Sequence, residues 1–98
     1  MKTINPPTFT EYPHFTPEEY AAMWGGDPCA MREPNLPNDG YLFYNFGSEN
    51  QERTPEFLND FIGAIERTIQ MVDTNANFNQ FDHDDLTALL EYVKELAA

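Results

Sequence analysis

Apolar residues recur at three- and four-residue intervals over the back half of the chain, at Leu58, Phe61, Ile62, Ile65, Ile69 and Val72 and again at Leu86, Leu89, Leu90, Val93 and Leu96. That period lays each set along one stripe of an α-helix. Thr54 followed by Pro55 marks the start of the first helix. A threonine oxygen can accept from a free first-turn N–H, and proline has no N–H to leave unpaired at the first helical position. The second helix is predicted to start near Asp82, with Phe81 and Leu86 spaced as a hydrophobic staple and Asp85 beside the cap. A short polar connection separates the two stripes, so they are expected to pack as an antiparallel helical hairpin.

The front half follows another pattern. Pro6, Pro7, Pro13, Pro17, Pro28, Pro34 and Pro37 crowd into it, whereas Pro55 alone follows. Residues 1–15 therefore read as an extended Pro-rich arm packing on the helical core. A short helix is predicted after Phe15, where Thr16, Pro17 and Glu19 have the spacing of a capping box. It runs to about Trp24 and stops at Gly25 and Gly26, which take up left-handed geometry cheaply. The run Tyr41, Leu42, Phe43, Tyr44, Asn45 and Phe46 is aromatic and apolar on nearly both faces, which predicts a strand. The Thr8 to Tyr12 stretch is its one plausible mate. The expected fold is thus mainly α (α+β): a short N-terminal helix, a minor strand or hairpin, and the C-terminal helical hairpin, in one acidic domain over residues 1–98.

Charge changes what such a fold could do. The 98 residues hold 17 acids against 5 bases, a formal net charge of −12. Lys2, Arg32, Arg53, Arg67 and Lys94 form no basic stripe, and affinity for a phosphate backbone comes mainly from such cations, so direct binding to nucleic acid is excluded. A charged partner should be basic. Apolar residues make up 41% and aromatic residues 14% of the chain, more than acidic disordered tails usually carry, so a core is expected. The single Cys29 leaves no internal disulfide to form, no run reaches the length of a membrane span, and residues Met1 to Phe9 lack the apolar stretch of a signal peptide; a soluble, cytoplasmic protein is expected.

Chemistry-bearing groupings are few. Asp73, Asn75, Asn77, Asn79 and Asp84 stand at positions 1, 3, 5, 7 and 12 of a segment between two helices, and this resembles the calcium loop of an EF-hand. The pattern departs at Phe78, where the turn glycine belongs, and at Asp84, which is shorter than the usual glutamate. An Asn-rich loop leading into an acid-rich helix start accounts for the same residues, so no metal and no cofactor is expected. His14 and His83 adjoin no evident nucleophile, and Cys29 has no base in its segment, so no catalytic site is expected.

Glu49, Glu52, Glu56 and Asp60, with Asp82, Asp84 and Asp85 and with Glu91 and Glu95, are the acids expected to meet a partner. Carboxylates four apart on a helix repel one another, and a basic partner would relieve that repulsion. Rows of negative charge at this pitch can imitate a phosphate backbone. The function expected is non-catalytic: inhibition or sequestration of a basic, nucleic-acid-binding protein, in the manner of a phage or mobile-element inhibitor. The alternative is a structural or adaptor subunit, a homodimer being one form, assembling through Tyr41, Phe43 and Tyr44. A degenerate calcium module comes third.

Overall fold

A computed structural model describes residues 5–26, 39–48, 51–74 and 80–98. Four helices order the chain: α1 (Pro17–Gly26), α2 (Asp39–Phe46), α3 (Pro55–Thr74) and α4 (Gln80–Ala97). α1 packs on α2 and α3 on α4, and α2 joins the two pairs by lying against α3.

The helix starts follow from local chemistry. The Thr16 hydroxyl accepts from the Glu19 N–H at 3.1 Å while Glu19 Oε1 accepts from the Thr16 N–H at 3.0 Å, so the capping box closes in both directions. Thr54 Oγ1 accepts from the Phe57 N–H at 3.1 Å and caps α3. On α3 the apolar stripe buries Phe57, Leu58, Phe61, Ala64, Ile65 and Val72, and on α4 it buries Leu86, Leu89, Leu90 and Val93.

The expected strand is a helix. No strand occurs among the described residues, and Tyr41 to Phe46 belong to α2. The physical reason is backbone satisfaction: a strand needs a neighbour for its N–H and C=O groups, while a helix supplies its own. The proposed mate cannot serve, because the N–H groups of Thr10 and Glu11 are directed to the Asp85 carboxylate. Helical spacing also sorts the aromatic run, turning Phe43 and Phe46 into the core and Tyr41 and Tyr44 outward.

Two helix ends differ from expectation as well. Among the described residues no glycine has positive φ, and Gly25 and Gly26 form the last turn of α1. Gly25 acts by close approach, since a Cβ there would stand 2.5 Å from the Tyr44 backbone nitrogen and 2.9 Å from the Gly40 oxygen. Gly47 is equally tight, its missing Cβ falling 2.7 Å from the Ala22 Cβ and 2.8 Å from the Glu18 carbonyl oxygen. At the other end of the molecule, α4 begins at Gln80, which places Phe81 inside the first turn and 48% exposed. It therefore cannot staple the helix start to Leu86.

The core is aromatic along its length. Phe9, fully buried, stacks on Tyr20 at 4.2 Å; Tyr20 meets Trp24, Trp24 meets Phe43, and Phe43 meets Phe61 edge-on at 5.0 Å. Phe46 and Phe57 complete the chain of rings around Phe61. Offset and edge-to-face contacts of this kind add about 0.5–1.5 kcal/mol each beyond area burial. One row of rings thus carries the arm, α1, α2 and α3.

Candidate functional site

The acidic residues fall into three groups once the helices are in place. On α4, Asp84, Glu91 and Glu95 are exposed. A rotation of roughly 100° per residue brings them within an arc of about 40°, so they make one outward row. Glu56 and Asp60 lie within a similar arc on α3, both exposed, with Glu52 exposed just before the helix. Among the described residues none of Glu56, Asp60, Asp84, Glu91 and Glu95 is in an ion pair. Glu66 is exposed on α3 too and extends its polar face; it lies outside any four-residue pair of acids, which is why the sequence pattern passes over it.

The third group is structural. Asp85 is 3% exposed and accepts from the backbone N–H of Thr10 at 2.6 Å and of Glu11 at 3.2 Å, so it fastens the N-terminal arm to α4 and is unavailable to a partner. Asp82 is half-buried on the side of Asp85, and both stand close enough to Tyr20 for their charges to oppose its ionisation. Burial is the larger cause holding the Tyr20 hydroxyl protonated far above the usual tyrosine range. The run Asp82, Asp84, Asp85 is therefore split between two faces of one helix. Glu49 lies outside the described residues.

Of the aromatic contact set, Tyr41 is 70% and Tyr44 59% exposed, whereas Phe43 is fully buried and belongs to the core. The two tyrosines line a shallow hollow of about 250 Å³ with Gly25 and Gly40.

A larger cleft, of about 530 Å³, opens where α1 begins and α2 ends, lined by Thr16, Glu18, Glu19, Ala22, Gly47, Ser48 and Arg53. Three contacts fix Arg53 there. Its Nη2 pairs with Glu18 Oε1 at 3.2 Å and donates to the Phe46 carbonyl at 3.1 Å, and its guanidinium lies 4.2 Å above the Phe46 ring. Beneath it, Gly47 and Ala22 let α1 and the end of α2 approach closely, and the floor carries no side chain larger than the Ala22 methyl. The segments that meet in the cleft are far apart in sequence, and the only local signal was an acidic first turn, which the helix dipole already explains.

The calcium-like segment is described only at its ends: Asn75, Asn77, Phe78 and Asn79 lie outside the described residues. Asp73 Oδ1 is 2.7 Å from His83 Nδ1, which links the end of α3 to the start of α4. Among the described residues no three His, Cys, Asp or Glu side chains stand together as a metal site would require. Cys29 and Arg32 also lie outside the described residues, and no described helix is long and apolar enough to cross a membrane. Compared with protein-family models, curated proteins and solved structures, the chain matches none.

Proposed function

We propose that this protein binds a basic protein through its exposed carboxylates and so inhibits or sequesters it, a nucleic-acid-binding protein being the partner that the charge pattern fits best. The observation that supports this is the pair of outward rows, Asp84, Glu91 and Glu95 on α4 and Glu56 with Asp60 on α3, held on helices and in no ion pair among the described residues. Like charges at helical spacing repel one another by a few tenths of a kcal/mol per pair. A cationic groove relieves that repulsion and releases counterions, which is the way such a groove recognises a phosphate backbone. The low density of bases in the rest of the chain leaves a field that steers a basic partner toward it. Cytoplasmic, phage-type inhibition is the setting that accords with the size and charge.

Affinity capture from lysate at low and moderate salt, with identification of the eluted protein, tests this. A DNA- or RNA-binding protein should be retained at low salt and released as salt rises, and it should lose its nucleic acid when this protein is added. Converting Glu56, Asp60, Asp84, Glu91 and Glu95 to their amides should abolish capture. Retention indifferent to both salt and the five substitutions would count against the proposal.

A second reading is favoured by Tyr41 and Tyr44, two large rings left in solvent on one side of α2 beside a shallow hollow. Assembly through them would be insensitive to salt and would yield a higher mass in light scattering that Tyr41→Ser and Tyr44→Ser together remove.

A further inference from the structure

The N-terminal arm is fixed to the helices at few points. Phe9 alone is buried among residues 5–11, stacked on Tyr20, and the N–H groups of Thr10 and Glu11 donate to Asp85. Pro6 and Pro7 have no N–H, and no strand runs beside the stretch among the described residues, so no ladder holds it residue by residue. We propose that residues 5–11 are a strap that opens and closes as one unit over an intact four-helix body, and that its closure keeps Asp85 off the acidic surface.

The strap ends at a turn that holds itself. The Phe15 N–H donates to the Tyr12 carbonyl at 2.9 Å, and the two rings stack at 4.9 Å. Both rings pack against the core, so the turn stays seated when the strap lifts. α1 needs nothing from the strap at its start, because Thr16 and Glu19 close their capping box locally. The contacts among the helices do not pass through Phe9 either: Trp24 meets Phe43, Phe43 meets Phe61, and Arg53 ties α1 to the end of α2. Lifting the strap removes one buried ring and two hydrogen bonds and leaves those contacts in place.

Closure keeps two polar groups from water. Asp85 is 3% exposed, and its partners among the described residues are two neutral N–H groups rather than a cation; burying a carboxylate without an opposite charge is costly. Tyr20 buries a hydroxyl whose proton has no acceptor among the described residues. Asp85 and Asp82 stand near enough for their charges to act on that hydroxyl, which places it on the side the strap crosses. Phe9 and the two hydrogen bonds favour the closed form, whereas hydration of these groups and the recovered chain entropy favour the open one. The gap between the two forms is therefore much smaller than the gap between folded helices and unfolded chain. The open form adds Asp85 to the carboxylates that solvent reaches, whether or not a basic partner binds there.

Native-state amide exchange of the whole chain at low denaturant concentrations tests this. After correction for intrinsic rates, the opening constants of Thr10 and Glu11 should agree within about twofold, and should exceed those of Phe61 and Ile65 in α3 by about a hundredfold or more. They should barely respond to denaturant, because opening exposes little surface. Phe9→Ser should hold the strap open: residues 5–11 should take random-coil amide shifts while the shifts of α2, α3 and α4 persist. In that variant carbodiimide labelling of Asp85 should rise about tenfold or more while labelling of Asp84 stays constant. Opening constants at Thr10 and Glu11 equal to those of α3, and equally steep in denaturant, would mean that the strap leaves only when everything unfolds and would overturn the proposal. Unequal constants at the two amides would also overturn it, as would loss of the helix shifts together with the strap in Phe9→Ser, or an Asp85 that stays unlabelled there.

Discussion

Asp85 and Thr10, 75 positions apart in the chain, are joined by a hydrogen bond of 2.6 Å from the Thr10 N–H to the Asp85 carboxylate. The second carboxylate oxygen takes the neighbouring Glu11 N–H, and beside them Phe9 is driven into the core against Tyr20. A side chain on the last helix thus does for the arm what a neighbouring strand would have done, and it holds the first rings of the aromatic row in place.

Asp85→Ala should cost about 2–4 kcal/mol, since it leaves two part-buried N–H groups without their charged acceptor. Chemical denaturation measures the loss. Amide exchange at Thr10 and Glu11 should accelerate more than exchange in α3, and uniform acceleration would mean that the arm is not held by this contact.

Two glycine-to-alanine changes should have opposite signs. At Gly25 the added Cβ meets backbone of α2 at 2.5 to 2.9 Å, so α1 must move away and stability should drop by roughly 1–3 kcal/mol despite alanine's better helix propensity. At Gly63 the Cβ meets only the guanidinium of Arg67, at 3.2 Å, a contact relieved by a shift of a few tenths of an ångström and not by moving backbone, so most of the propensity gain of up to about 1 kcal/mol should survive. Thermal melts of the two variants decide it.

Alkali should unfold the protein earlier than net charge alone would. Burial, foremost, and the nearby Asp85 and Asp82 raise the Tyr20 hydroxyl far above the usual value of about 10, and burial with the Glu18 charge raises Tyr92 in the same direction. Above pH of about 10 the unfolded chain releases these phenolic protons while the fold retains them. The stability they contribute is whole below that pH and declines as pH rises beyond it. In Tyr20→Phe the alkaline decline should be shallower; an unchanged decline in far-UV circular dichroism would argue against Tyr20 as its source.

Stability and partner binding should trade against each other on α4. Glu95→Lys places a cation four residues after Glu91 and near the helix C-terminus, which should stabilise by about 0.5–1 kcal/mol at low salt. The same change removes one carboxylate from the outward row and reverses its sign, so retention of a basic partner should weaken. A variant both more stable and equally well retained would detach binding from that row.

Local pattern was enough to specify α3, α4 and the caps of α1 and α3. Each rests on contacts within a few residues: the three- and four-residue stripe, the Thr16 and Glu19 exchange, and threonine followed by proline at position 54. It also determined that carboxylates outnumber cations and that Glu56 with Asp60 and Glu91 with Glu95 share helix faces. The fate of Tyr41 to Phe46 depended on packing, because an aromatic run apolar on both sides suits a buried strand or a short packed helix equally. No strand lies among the described residues to pair with its backbone, the Thr10 and Glu11 N–H groups being taken by Asp85, and with Gly25 and Gly47 admitting α1 at close range the run is a helix. Tertiary packing likewise separated Asp84, which looks outward, from Asp85, which is buried under the arm, and brought Glu19 and Arg53 to one cleft. Residues adjacent in sequence point apart on a helix, and residues distant in sequence meet only when the chain has folded, so local pattern could not have assigned either.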